Sequence, residues 1–259
     1  SEWEEALKKK TKLVFFETPS NPCLEIIDIV NVSKLAHKNG AKVIVDNVFA
    51  SPILQKPIKL GADIVIYSAT KHIDGQGRVL GGAILGSKDF CNNIIKPFIR
   101  NTGPSISPFN AWILLKSLET LEIRIIQQVK NTKKIVDFLE KNRKIDKVIY
   151  PFSKKFKQHS LAKKQMSSGG TIISFELNIN KKKELKERTF KFINKLKMID
   201  ISNNLGDTKT LITHPSTTTH NRLTNTQKKT LGINDNLIRL SVGLEDVDDI
   251  INDLKMGLA

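Results

Sequence analysis

Lys71 stands in the stretch YSATKHIDGQGRVLGG (67–82), directly after an apolar run and between small hydroxylated residues and a glycine-rich turn. The chain holds 42 Lys plus Arg, only seven of them Arg, so lysine is common here and context alone distinguishes this one. Ser68 and Thr70 flank it, and their hydroxyls and backbone N–H groups can hold a phosphate. Asp46 lies 25 residues earlier, at the end of another apolar run. A buried carboxylate needs a cationic partner, and a pyridinium nitrogen meets that need. A desolvated lysine, in turn, has a lowered pKa and becomes a Schiff-base nucleophile. Lysine, acid and phosphate-holding hydroxyls together are the parts that pyridoxal phosphate requires. The same residues also admit a plainer reading, in which Asp46 caps a turn and Lys71 is a surface lysine.

The elements that must position these groups are legible from Lys12 to Gly86 as strand, turn and amphipathic helix. KLVFFE (12–17) reads as a strand. Asp28 caps a helix running to Asn39, with Ile29, Val32, Leu35 and Ala36 on one face and Gly40 as its stop. AKVIVDN (41–47) is an almost wholly apolar strand ending on an acid, as expected of a strand buried on both faces. ADIVIYS (62–68) and GGAILG (81–86) follow. The pattern predicts a parallel α/β sheet, whose ligands gather at the carboxyl ends of its strands. Asn21, Asp46 and Ser68 through Lys71 all fall just past such ends.

After NTGPSISPFN (101–110) the character changes, and residues 112–142 carry sustained helical periodicity that predicts one long helix bridging into a second unit. That unit mixes strands at 146–150, 169–177, 210–214 and 237–243 with helices near 181–197 and after Glu245-Asp246. A division into residues 1–115 and 116–259 follows. The first unit has too few elements to close its sheet on both sides.

Composition excludes several classes. No apolar run reaches the roughly 18 residues a membrane helix needs, and SEWEEALKKK lacks the apolar core of a secretion signal. Two cysteines, Cys23 and Cys91, form neither a disulfide framework nor a metal-ligand spacing, which predicts reduced thiols in a cytoplasm. The five histidines are scattered, and no metal site is expected. The net charge of +16 invites a nucleic-acid reading, but the lysines are spread along the chain with little aromatic interleaving. They read as a solvated surface.

Five stretches in order, ETPSNP (17–22), VIVDNVFASP (43–52), YSATKHIDGQGRVLGG (67–82), SNNLGDTKTLITHPSTTTH (202–220) and LIRLSVGLED (237–246), resemble the Cys/Met-metabolism pyridoxal-phosphate enzymes, the cystathionine γ-synthase group. The form Ile-Asp-Gly-Gln-Gly-Arg after the lysine, with Asn-Asn-Leu-Gly where Ser-Leu-Gly is usual, is most similar to the O-succinylhomoserine sulfhydrylase branch. The resemblance implies the type I fold of pyridoxal-phosphate transferases: the C-terminal part of a large, mainly parallel-sheet domain, then a smaller α+β domain. It implies that Lys71 carries the cofactor, Asp46 pairs with its pyridine nitrogen, and Ser68 and Thr70 bind its phosphate. Asn21 would approach the ring hydroxyl and the substrate, and Arg239 would fork onto the substrate α-carboxylate. Asn204 stands where the wider family has serine, so hydroxyl-specific roles are open there, although an amide can still contact a carboxylate or backbone. Arg78 has two readings, holding the distal carboxylate of a succinyl group or tying down the glycine turn. Cys23 either lines the pocket or packs, and His214 supports the second unit.

The implied reaction is γ-replacement: O-succinylhomoserine, or another O-acylhomoserine, and sulfide give homocysteine. Cystathionine γ-synthase and γ-lyase chemistry are the alternatives, and a non-catalytic basic binding module is an alternative of a different kind. Members of the family also carry a preceding segment with a ring-stacking tyrosine, a glycine turn for the phosphate and a Tyr/Arg pair lent to a neighbouring subunit. Tyr67 and Tyr150, the only tyrosines here, match none of these. The resemblance therefore implies a homo-oligomer, a dimer of dimers, and weak cofactor binding and little turnover by these 259 residues in isolation.

Overall fold

Three apolar runs form neighbouring parallel strands in the computed structural model, which describes residues 2–259: β1 (Leu13–Glu17), β2 (Lys42–Asp46) and β3 (Ile64–Ser68). Their carboxyl ends lie side by side, with Glu17 in register with Asp46 and Asp46 with Ile66. A fourth strand, β4 (Gly82–Leu85), pairs antiparallel with β3. The sheet is thus mainly parallel and not wholly so. No crossover helix joins β3 to β4; the chain returns through the Lys71 turn and the glycine loop, and so reverses direction.

Helix α1 (Ile29–Lys38) crosses from β1 to β2, with ends where the sequence placed them. The Asp28 carboxylate accepts the Asn31 N–H at 2.9 Å, and Gly40 follows at φ 72°. Ile29, Val32 and Ala36 pack on Val14, Phe16, Val43 and Val45, each large side chain contributing roughly 1.5–3 kcal/mol by its burial. The other sheet face is open, with Leu13 56% and Phe15 59% exposed.

The single helix expected over 112–142 is two, α2 (Pro108–Leu118) and α3 (Leu121–Lys141), separated at Glu119 and Thr120. Arg124, a buried cation near the start of α3, spans this break. Its guanidinium takes the Ser117 carbonyl at 3.0 Å and its Nε donates to Thr120 Oγ1 at 3.2 Å, which satisfies backbone freed at the break.

The second sheet has the order β5-β6-β9-β8-β7, from β5 (Ile145–Ile149), β6 (Ile172–Leu177), β7 (Asp200–Ile201), β8 (Leu211–Thr213) and β9 (Leu237–Ser241). Helices α3, α4 (Leu185–Asn194) and α5 (Val247–Leu258) cover one face through a core of Ile135, Leu139, Phe175, Phe192, Ile250 and Leu254. Strand alternation sends Ile238 and Leu240 of β9 into that core and turns Arg239 and Ser241 to the opposite face. That face meets the loops at the carboxyl ends of the first sheet. Ser174, the cross-strand partner of Arg239, donates to the Pro22 carbonyl at 2.6 Å, and Ser241 Oγ accepts the Gly206 N–H at 2.8 Å.

Among the described residues, no helix is long and apolar enough to cross a membrane, and no group of three or more His, Cys, Asp or Glu forms a metal-ligand set.

Candidate active site

Past Ser68 the chain enters a wide turn, Ala69–Ile73, that departs from helical geometry at Lys71 (φ −91°, ψ −124°). Three buried side chains hold this turn. Asp74 accepts the backbone N–H of Arg78 at 2.6 Å and of Val79 at 3.3 Å, folding the glycine loop onto itself. Arg124 donates to the carbonyls of His72 at 2.8 Å and Ile73 at 3.1 Å. Gly75, at φ 70°, makes room for it: a Cβ there would lie 2.1 Å from Arg124 Nη1.

His72 is the third. Burial pulls its pKa down to about 4, with a hydrogen bond to Val48 opposing, so the ring is neutral near pH 7. Its Nδ1 lies 3.1 Å from the Val48 carbonyl, which can only accept, so the proton is on Nδ1. Nε2 then accepts from Thr171 Oγ1 at 2.8 Å. Val48 in turn donates its N–H to Asp46 Oδ1 at 3.0 Å. One imidazole therefore links the lysine turn, the Asp46 turn and the second sheet.

Lys71 Nζ donates to Asn204 Oδ1 at 2.6 Å. Asn204 sits on the loop after β7, pressed against the lysine turn at Gly206, where a Cβ would meet the His72 backbone at 2.7 Å. Burial, and then the Arg239 charge, lower the Lys71 pKa, so this lysine loses its proton more readily than a surface one. Arg239 is 2% exposed. Its Nη1 donates to Asn21 Oδ1 at 3.0 Å, and its Nη2 to the carbonyls of Asn203 at 2.9 Å and Asn204 at 3.2 Å. Burial draws it down to about 10, against the Glu17 charge, so it stays cationic at neutral pH. Asn21, Lys71, Asn204 and Arg239 are thus brought together although 218 residues separate Asn21 from Arg239.

Asp46 is half-buried, and burial raises its pKa against the single N–H of Val48. A carboxylate so poorly compensated, on the strand next to β3, suits the ring nitrogen of pyridoxal phosphate. Thr70 Oγ1 accepts the Gly81 N–H at 3.1 Å. A cleft of about 430 Å³ is lined by Thr70, Lys71, Arg78, Ser202, Asn203 and Asn204, with Gly77, Val79 and Leu80. The residues present fit the cofactor: an amine of lowered basicity, an under-compensated acid and a hydroxyl-bearing turn.

Arg78 borders the cleft but is engaged elsewhere. Its Nε donates to Asp74 Oδ1 at 3.0 Å and its Nη2 to Ser117 Oγ at 2.6 Å, the arrangement of a residue that ties down the glycine turn. Cys23 lines a separate cavity of about 480 Å³ and donates to the Leu231 carbonyl at 3.1 Å, and burial pushes its thiol up to about 11. His214 bridges Thr217 and the Asp235 carbonyl, both at 2.8 Å, in the second unit. Sequence reasoning missed Glu17, His72, Asp74 and Arg124. Only Glu17 had a signal, since KLVFFE ends on an acid as AKVIVD does.

A mainly parallel sheet presenting a lysine and an acid from adjacent strand ends, closed by a second sheet that brings a buried arginine, is the fold shared with cystathionine gamma-lyase and cystathionine gamma-synthase structures. The chain belongs to the family described as Cys/Met metabolism PLP-dependent enzyme, which matches residues 1–259. It is 49% identical over 259 residues to an O-succinylhomoserine sulfhydrylase of Mycobacterium tuberculosis (strain H37Rv), covering 100% of this chain and 64% of that protein. An L-methionine gamma-lyase of Fusobacterium nucleatum subsp. polymorphum is 45% identical, with coverages of 99% and 64%. The crystal structure of cystathionine gamma synthase from Xanthomonas oryzae pv. oryzae in complex with cystathionine superposes with a TM-score of 0.93 at 36% identity, covering 99% of this chain and 65% of that one. The chain thus spans a little under two thirds of the relatives it matches.

Proposed function

We propose that these residues form the lysine-bearing part of a site that replaces the γ-substituent of an amino acid, converting an O-acylhomoserine and sulfide to homocysteine and the free acid. The observation that carries this reading is the convergence of Lys71, Asn204, Asn21 and Arg239 beside Asp46. Lys71 would hold pyridoxal phosphate covalently, Asp46 its ring nitrogen, and Ser68 and Thr70 its phosphate. When bound, the cofactor supplies an electron sink for negative charge at the substrate Cα. The half-buried Lys71 amine, released when the substrate amine takes its place, is the base that removes the Cα proton, and Asn204 Oδ1 is positioned to receive the resulting ammonium. Arg239, with spare guanidinium donors beyond the three bonds described, orients the substrate carboxylate.

Similarity to O-succinylhomoserine sulfhydrylases favours sulfide as acceptor and a succinyl leaving group. Similarity to methionine gamma-lyases supports a second reading, elimination without an acceptor. Residues 1–115 serve in this reading as part of the cofactor domain and 116–259 as the smaller domain, in a cytoplasmic homo-oligomer. The accessible surface, 14537 Å² against about 11,400 Å² expected of a compact chain of this mass, supports further protein covering the open faces.

Borohydride reduction of the cofactor-loaded full-length protein should fix the label on Lys71, and Lys71→Ala should abolish both the label and the visible band. An alanine variant that keeps the band refutes the assignment. Product analysis with O-succinylhomoserine plus sulfide, the same substrate plus cysteine, and methionine alone separates the three chemistries.

A further inference from the structure

Glu17 is the one half-buried carboxyl at the site to which the mechanism above gives no task. It ends β1 in register with Asp46, so two carboxyls stand on the same sheet face on neighbouring strands, with backbones about 4.8 Å apart. Its Oε1 accepts the backbone N–H of Asn21. The Asn21 side chain in turn accepts from Arg239 Nη1 at 3.0 Å. A continuous path therefore runs from the acid beside Asp46 to the arginine of the second sheet.

We propose that Glu17 is a positioning residue for the carboxylate-binding arginine: as a neutral acid it holds Asn21 against Arg239 and leaves the guanidinium charge to the substrate, and as a carboxylate it competes for that charge.

The surroundings favour the neutral form. Burial pushes the Glu17 carboxyl up to about 7; the Asn21 N–H opposes this, the Asp46 charge adds to it, and the Arg239 charge opposes it. Two carboxyls on neighbouring strand ends do not both ionise cheaply, and the Asp46 charge therefore favours the protonated form of Glu17. The other titratable groups facing this cluster are Lys71 and His220, each lowered first by burial and in part by the Arg239 charge, and Tyr67, raised first by burial and in part by the Asp46 charge. When Glu17 ionises, its negative charge acts on a buried guanidinium whose attraction for a substrate carboxylate depends on being unmatched. Affinity for the amino-acid carboxylate should then fall as pH rises through neutrality. The inference rests on Arg239 being the carboxylate site.

Carbon-13 carboxyl titration of the full chain without cofactor reads Glu17 directly, with no reliance on turnover. Its midpoint should lie well above the ordinary glutamate range, fall in Asp46→Asn and rise in Arg239→Met. A midpoint in the ordinary range, or one that moves in neither variant, overturns the proposal, and this holds even if Glu17→Gln fails to fold. The second arm measures binding of norvaline, an amino acid with no γ-leaving group, to the cofactor-loaded full-length protein. Between pH 6 and 8.5, affinity should fall about tenfold more than in Glu17→Gln, which carries no ionisable group. Parallel pH dependence in the two proteins indicates a mere loop latch and also overturns the proposal. Absence of norvaline binding in both proteins refutes the amino-acid reading instead, while the carboxyl titration still decides whether Glu17 and Arg239 are coupled.

Discussion

Replacing Arg124 with methionine keeps most of the side-chain bulk and removes every donor. Arg124 is 6% exposed, and its guanidinium supplies the carbonyls of His72, Ile73 and Ser117. Ser117 retains the Thr120 hydroxyl at 3.3 Å as a donor, which leaves the two carbonyls of the lysine turn without their charged partner. An unsatisfied buried carbonyl costs about 1–3 kcal/mol, and release of the buried guanidinium returns part of that, so the net loss should be about 3 kcal/mol. With a urea dependence of about 3 kcal/mol per molar for a chain of this size, the unfolding midpoint should drop by about 1 M. Arg124→Lys keeps the charge but can reach only one carbonyl at a time, and should lose less. Urea unfolding followed by circular dichroism, with Thr120→Ala as a neighbouring control, measures the series. A loss under about 1 kcal/mol in Arg124→Met would show that the lysine turn is held by other contacts.

Two further outcomes are expected. His72 is buried and neutral with its pKa depressed from 6.5 to about 4, so between those values the unfolded chain binds a proton that the folded one refuses. Stability present above pH 6.5 should be lost on acidification by about 1.4 kcal/mol per unit down to about pH 4, and His72→Asn should flatten that slope in urea titrations. Asn204 Oδ1 accepts from Lys71 and so favours the ammonium; in Asn204→Ala the Lys71 pKa should move further down, read as faster reductive methylation of Lys71 at neutral pH in cofactor-free protein. An unchanged rate would sever the Asn204–Lys71 link.

Local pattern determined much of the architecture. Strands β1, β2 and β3 were legible as continuous apolar runs, although β1 and β2 alternate buried and more exposed positions because one face of the sheet is open, and α1 was legible because Asp28 and Gly40 mark its ends. The placement of Asp46 at the end of β2 and of Lys71 just past β3 was legible for the same reason, since strand ends are readable in the sequence. The run at 112–142 misled because apolar periodicity does not record that a buried arginine will draw two carbonyls of the lysine turn and one of the preceding helix to itself. Arg78 remained undecided because its competing partners, Asp74 four residues away and Ser117 thirty-nine away, are chosen only once the loop is folded.

What the tertiary structure alone decided is the company each group keeps. Asn204 reaches Lys71 across 133 residues, Asn21 reaches Arg239 across 218, and His72 joins Val48 to Thr171. Residue type and spacing say what a side chain can do within its own element. The depressed basicity of Lys71, the neutral His72 and the raised Glu17 arise from burial by, and charges on, segments remote in sequence, because desolvation and Coulomb interaction depend on distance in space.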